Sequence, residues 1–562
     1  MTISWELLKK KLEVPKDEQS FYDNDKLTNR DLIPIPPERR TWTPLGYFSY
    51  WIVEGVSISG WTTGSTIVAY GLSVRQALGC TVAAGIIYGF MAVIMGWIGS
   101  HHHIGFTVIS RFCWGVGGFK GKFPAFYFPV IIRLCTGIVW VGVQAYYGGQ
   151  AVRVVIAAMN PSYATWDTFD DKNGITSADF VGLMIYMILF IPCIMIPPEK
   201  IQTFFRITFV LVFGAMFGIL GWAIKTAGGA GAMLTEHSST LTTKAEVAWA
   251  VVMSIFSVVG TAGTGILGQS DWARYSTTKR GPAPAQFIGA PIAVVYSSLI
   301  GCLVTSAVND IVGETVWNPL NVLSAIQSYE NNSKAARAGV FFGGLAFVGQ
   351  QLAINLLLNS VSTGMDLAGL CPKYLNMRRA SLIVAVVGLL CWPWKLQANA
   401  TAVIILGNGW GCFCSGLTGI IIAKYFFIYK RKILLQDLYV GNSSSIYWFW
   451  HGFDWRAAVA WIMGTAFTLP GLVAEADGKD WGAWNKIFKM SYPWGIIVSA
   501  TTLIVLELIF PGFTIQPDTK VDEVYTEDGV AISKLDSDTG LSDDIEGSGS
   551  VEKISITIDS KK

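Results

Sequence analysis

Residues 51–61 read Trp-Ile-Val-Glu-Gly-Val-Ser-Ile-Ser-Gly-Trp, and residues 260–265 read Gly-Thr-Ala-Gly-Thr-Gly. Each run sits inside an apolar stretch long enough to cross a membrane. Each places glycine and small polar residues mid-helix, where a glycine costs about 1 kcal/mol relative to alanine. Interrupted helices opening two halves of five spans are the sequence pointer to inverted-repeat transporters, whose site lies near the bilayer midplane between broken helices. For either run alone, close helix packing through small residues is the other reading.

The surrounding chain supports a membrane setting. Of its 562 residues 52% are hydrophobic and 14% charged, against about 25% charged in soluble domains. A helix needs roughly 20 mostly apolar residues to cross the hydrocarbon, and such runs recur about a dozen times. They lie near 45–72, 76–99, 125–158, 179–197, 201–225, 246–269, 284–308, 336–366, 380–394, 399–427, 455–474 and 490–511. The expected fold is therefore an all-α membrane protein of about twelve transmembrane helices, with discontinuous first and sixth helices. Residues 1–43 read as an N-terminal tail without a signal peptide, 44–511 as the membrane domain, and 512–562 as a disordered acidic tail. An even number of spans puts both termini on one side. Arg111, Lys120 and Lys122 follow the second span, Arg274, Lys279 and Arg280 the sixth, Lys373, Arg378 and Arg379 the eighth, and Lys430, Arg431 and Lys432 the tenth. The loop after the third span instead carries Asp167, Asp170 and Asp171. The positive-inside rule then places both termini in the cytoplasm.

With 41 Lys and Arg against 39 Asp and Glu, no basic stripe offers itself to nucleic acid. Nine cysteines scattered singly, apart from Cys412 and Cys414, give neither a disulfide framework nor a zinc spacing. No nucleophile and base pair, and no phosphate-cradling loop, points to an enzyme. The expected partners are a small-molecule substrate and the lipid bilayer, with no cofactor and no metal.

The third and eighth spans each carry polar side chains one turn apart, Trp140 with Gln144 and Asn355 with Asn359. Residues at i and i+4 share a helix face. One reading is an interhelical hydrogen bond. The other is a pocket in which Trp140 offers a flat face and Gln144 pairs with adjacent N–H and C=O groups of a ligand. Charge within the spans is sparse. Glu54 lies in the first interruption and is the candidate proton carrier, or else a brace for the unwound backbone. Arg133 either snorkels or pairs within the bundle, and Glu507 reaches toward the interface. His101, His102 and His103 read as interfacial rather than metal-binding, since consecutive helical residues point apart.

Further motifs carry a resemblance. Asn29-Arg-Asp31 with Arg40-Thr-Trp42, Trp51-x-x-Glu54-x-x-Ser57-Ile58-x-x-Trp61, Ser110-Arg111-Phe-Cys-Trp-Gly115 and Arg133 with Trp140-x-x-x-Gln144-x-Tyr146 resemble the nucleobase:cation symporter-1 family. Gln269-Ser-Asp271-Trp-x-Arg274-Tyr275 and Asn355-x-x-x-Asn359-Ser-x-Ser-x-Gly364-x-Asp366 do so too. The likeness is to the fungal branch of uracil, allantoin and uridine permeases, with thiamine and nicotinamide riboside carriers related to it. It implies a LeuT-like five-plus-five inverted repeat importing a nucleobase or related small ring compound (uracil, allantoin or purine-like) by alternating access, with the proton symport of the fungal pattern. Trp140 would stack on the ring, and Gln144, Asn359 and Asn355 would complete the contact, with Ser57, Trp61, Gly260, Thr261, Ala262 and Gly263 lining the breaks. Sodium-using relatives have hydroxyl residues where this chain has Ala353 and Ile354, which supply no side-chain oxygen for a hard cation. The sixth-span break lacks the second stacking aromatic, leaving one-sided stacking or a neighbour such as Trp61. A thiamine or nicotinamide riboside carrier is the alternative, with Gly364-Met-Asp-Leu-Ala-Gly-Leu370 on its side, and a non-transporting nutrient receptor is the reading from another class.

Overall fold

The structure, a computed structural model, describes residues 13–14, 27–29, 31–119, 123–196, 202–237 and 241–513. The expected acidic tail from residue 514, most of the N-terminal tail, and Lys120 and Lys122 lie outside the described residues.

The first span is two helices. Thr43 caps α1 (Pro44–Gly55) by accepting from the Gly46 amide, and Pro44 supplies a preset φ at its first position. Helical geometry fails at Val56, whose ψ is 76°, and Ser57 is fully extended. The Ser57 hydroxyl then accepts from the Gly60 amide at 2.9 Å and starts α2 (Ile58–Tyr70). A β-carbon on Gly60 would strike the Gly55 carbonyl, so this break needs its glycine. There follow α3 (Val74–His102), α4 (Phe106–Trp114), α5 (Tyr127–Met159), α6 (Ser177–Ile194) and α7 (Gln202–Ala227). A two-stranded antiparallel hairpin, Gly118–Phe119 with Phe123–Pro124, links α4 to α5.

The second half opens on the sixth span, which is kinked twice instead of fully unwound: α8 (Lys244–Thr261), α9 (Gly263–Leu267) and α10 (Gln269–Ala273) are separated by Ala262 and Gly268. Then come α11 (Pro282–Val312), the shorter α12 (Pro319–Tyr329) and α13 (Lys334–Ile354). A π-helical turn, Asn355–Val361, joins α13 to α14 (Ser362–Leu370) within the eighth span. The chain ends with α15 (Met377–Leu389), α16 (Ala400–Ile422) and its π-helical extension Ala423–Ile428, α17 (Trp455–Ala466), α18 (Leu469–Ala476), α19 (Ala483–Lys489) and α20 (Ser491–Ile509). Among the described residues, ten spans are long and apolar enough to cross a bilayer. The other two expected are the first, divided into helices of 12 and 13 residues, and the ninth, where α15 has only 13.

Helices cross where side chains are smallest. A β-carbon on Gly142 of α5 would run into the Gly388 carbonyl of α15, one on Gly182 of α6 into the Gly149 carbonyl of α5, and one on Gly260 of α8 into the Gly407 carbonyl of α16. With no hydrophobic drive between helices in lipid, such close approach supplies the van der Waals contact that holds them. Apolar side chains such as Ile188, Phe342 and Leu508 face outward.

At three places the structure supplies partners that the sequence reading did not name. The Glu507 carboxylate pairs with Arg456 at 2.8 Å, Arg456 pairs with Asp454 at 2.8 Å, and Asp454 pairs with Lys424. This buried quartet joins the end of the tenth span, the start of α17 and the end of α20. His102 and His103 are likewise buried within the protein. His103 adopts φ 55° to end α3, and its Nδ1 lies 2.8 Å from the Arg274 carbonyl. The last part of the N-terminal tail is packed as well. Leu32, Ile33 and Ile35 are buried, and the Ile35 amide donates to the His103 carbonyl at 3.0 Å.

Candidate functional site

The two interrupted helices meet α5 and the π-helical turn around a cavity of about 120 Å³. Glu54, Ser57 and Ser59 reach it from the first break, Thr261 and Ala262 from the sixth-span kink, Trp140 and Gln144 from α5, and Asn359 from the π turn. Sequence residues far apart thus converge because each helix interruption turns polar groups inward, where a continuous helix would present only one stripe.

Trp140 is half-buried, and its ring meets Trp410 of α16 edge-on at 4.9 Å, which fixes its plane against the cavity. One turn on, Gln144 is almost wholly buried. Its Nε2 donates to Ser59 Oγ at 2.6 Å, and its Oε1 accepts from Gln351 Nε2 at 2.8 Å. Asn359 Nδ2 donates to the Ile354 carbonyl at 3.3 Å, a bond available because the π turn displaces that carbonyl from its usual partner. Tyr88 donates to Glu54 Oε1 at 3.1 Å, while Glu54 Oε2 is buried and has no hydrogen-bond partner among the described residues.

Four expected site residues do not line the cavity. Trp61 is fully buried against Gly301 of α11. The extended Ser57 resets the helix phase between Glu54, which lines the cavity, and Trp61, which does not. Gly260 makes the α8–α16 crossing, the packing reading of its run. Gly263 faces Cys414 and Tyr492. Asn355 donates to the Val141 carbonyl at 3.3 Å, turned from the cavity because the π turn's wider i→i+5 spacing separates it from Asn359. The aromatic rings that do join Trp140 around the cavity are Tyr50, Trp51, Tyr88 and Trp272. Trp51 packs edge-on against both Tyr88 and Tyr50, at 5.0 and 5.1 Å.

Arg133 does not snorkel. Its guanidinium donates to Asp271 at 2.7 Å, to Asp366 at 2.9 Å and to Ser362 Oγ at 2.9 Å, and lies 4.8 Å from the Phe106 ring. Arg133 and Asp366 also line the cavity. Asp271 also accepts from the Phe106 amide at 2.8 Å, tying α10 to the start of α4. A β-carbon on Gly268 would collide with the guanidinium, so the second kink of the sixth span makes room for it. Sequence reasoning had Arg133 but not its partners. A buried arginine calls for carboxylates, and the acids in the sixth- and eighth-span motifs were the available signal. Gln351 and Ser59 were also missed, although Gln351 sits one turn before Asn355.

A bundle of membrane-spanning helices, interrupted twice around a small cavity of mixed aromatic and amide character, defines a secondary transporter. Residues 34–495 match the family of permeases for cytosine and purines, uracil, thiamine and allantoin, and the chain belongs to that family. It is 32% identical to an uncharacterized permease of Schizosaccharomyces pombe over 86% of this chain and 80% of that protein. It is 31% identical to the uracil permease of Saccharomyces cerevisiae, over 86% and 76%. Among solved structures it shares the fold of Mhp1, a nucleobase-cation-symport-1 family transporter in a closed conformation with bromovinylhydantoin bound. The TM-score is 0.69 at 17% identity, over 90% of this chain and all of the other. The architecture is thus the LeuT-like inverted repeat expected from the sequence.

Proposed function

We propose that the protein imports uracil or a closely related single-ring lactam, such as allantoin, by proton symport with alternating access. It would act at the plasma membrane with both termini in the cytoplasm. The observation that carries the substrate class is a cavity of about 120 Å³ in which the Trp140 ring stands one turn from the Gln144 amide. A cavity of roughly 150 Å³ holds one benzene-sized ring, so the size favours a single heterocycle over the two joined rings of thiamine or the sugar-bearing nicotinamide riboside. Trp140 supplies a stacking face, and Gln144 supplies a donor and an acceptor side by side. Ring, face and edge together describe a flat molecule with adjacent N–H and C=O groups.

Proton coupling draws on the carboxylate of Glu54 beside the first break and on Ala353 and Ile354, which bring no side-chain oxygen to a cation. The test is uptake of radiolabelled uracil into yeast lacking its own permeases, with unlabelled allantoin, uridine, purines, thiamine and nicotinamide riboside as competitors. Saturable uracil uptake, competed best by single-ring lactams, is expected. Uptake competed best by thiamine would overturn the substrate class, and surface protein that binds ligand without accumulating it would make the chain a receptor.

A further inference from the structure

A carboxamide has nearly the same shape either way round, so hydrogen bonding alone decides which end of a buried glutamine carries oxygen and which nitrogen. Gln144 faces the cavity, and its order of donor and acceptor sets which ring edge it can read. Ser59 does not choose that order, because a hydroxyl accepts from nitrogen and donates to oxygen equally well.

Gln351 of α13 does choose. It is fully buried and does not line the cavity. Its Nε2, which can only donate, contacts two atoms of Gln144: the backbone carbonyl at 3.0 Å and Oε1 at 2.8 Å. The backbone carbonyl cannot turn over. It holds the NH₂ end of Gln351 toward α5, and that NH₂ in turn holds Gln144 Oε1 toward α13. Reversing Gln144 would set two NH₂ groups against each other. Reversing Gln351 would set its oxygen against two others. The helix carrying Gln351 is itself held here, because the Tyr186 hydroxyl donates to the Gln351 carbonyl at 3.0 Å.

We propose that Gln351 is a positioning residue that fixes the donor–acceptor order Gln144 presents, and so selects a ring edge reading N–H beside C=O over one in which donor and acceptor are exchanged. 1-Methyluracil and 1-methylcytosine make this discrimination at nearly constant shape, because the methyl group removes the N1–H beside C2=O that both free bases share. 1-Methyluracil offers N3–H and O4, whereas 1-methylcytosine offers unprotonated N3 and an amino group. With one lone pair of Oε1 and one hydrogen of Nε2 committed to Gln351 and Ser59, the remaining pair matches the uracil edge and opposes that of 1-methylcytosine.

The proposal rests on the reading of the cavity as the seat of a lactam-bearing ring. Its test is the ratio of the 1-methylcytosine to the 1-methyluracil inhibition constant of uracil uptake, measured on the full chain at the cell surface, for wild type, Gln351→Met and Gln351→Glu. Methionine keeps the length but donates nothing, so Gln144 is free to turn, and the ratio should fall at least about tenfold, the value of roughly one satisfied buried hydrogen bond. The glutamate variant should lower it at neutral pH and recover toward wild type on acidification, as a protonated carboxyl donates to Oε1 again. A purely structural role would lower transport of both ligands and leave the ratio and its pH profile unchanged. That result, with wild-type uracil uptake intact, would overturn this proposal alone. Failure of the wild type to take up uracil or any lactam ring would overturn the reading of the cavity and this proposal with it.

Discussion

Trp140 brings a face to the cavity and Gln144 an edge, and a flat heterocycle uses both. The two were legible in the sequence because they stand four residues apart on the uninterrupted α5, where i and i+4 share a face. The same counting failed for Asn355, which lies at the start of a π turn, while Trp61, expected at the breaks from the family likeness, lies beyond an extended residue. Periodicity locates side chains only while the helix keeps its period. Trp140→Ala removes the stacking surface and the edge contact with Trp410. Uracil uptake should fall by more than about tenfold while surface delivery, followed with a fluorescent tag, stays normal. Undiminished uptake would remove Trp140 from the site. No periodicity marks Gln351, whose role depends on an amide orientation that only the folded pair defines.

At the scale of elements, each irregularity has a local chemical cause. Ser57 starts α2 with its hydroxyl, Gly268 makes space for the Arg133 guanidinium, and the π turn redirects Asn359. The glycine runs made the breaks visible in the sequence, whereas the π turn left no compositional trace among Asn355-Leu-Leu-Leu-Asn359. The quartet of Lys424, Asp454, Arg456 and Glu507 balances two cations with two anions, all nearly excluded from solvent. Asp454→Asn leaves two cations facing one carboxylate and should cost about 3–5 kcal/mol, the usual penalty for stranding a buried charge. The expected readout is a lower melting temperature of the detergent-solubilised protein, largely restored by adding Lys424→Met. A melting temperature unchanged in the single variant would show that the quartet contributes no stability.

For the whole molecule, the sequence sufficed for ten of the twelve expected spans, the two interruptions and the family likeness, because these follow from long apolar runs and motif spacing. It did not reach the Arg133 cluster, which gathers the third, sixth and eighth spans, since no local pattern encodes contacts 138 and 233 residues apart. Coupling belongs to this scale too, because a driving ion must bias the entire conformational cycle. Uracil accumulation should track the proton gradient and ignore sodium. Glu54→Gln, which keeps the size but cannot titrate, should retain uracil exchange while losing accumulation. Sodium-dependent uptake by the wild type would defeat the coupling scheme, and full accumulation by the variant would acquit Glu54. The glycine crossings bear on how any of these results is obtained. Gly142, Gly182 and Gly260 tolerate no β-carbon, yet none of them touches the cavity. A random-mutagenesis screen scored by growth on the substrate would therefore return these glycines alongside Trp140 and Gln144, and a map of inactive alleles would trace helix crossings as faithfully as the binding site. Only scoring trafficking in parallel with growth would divide the map into its two halves.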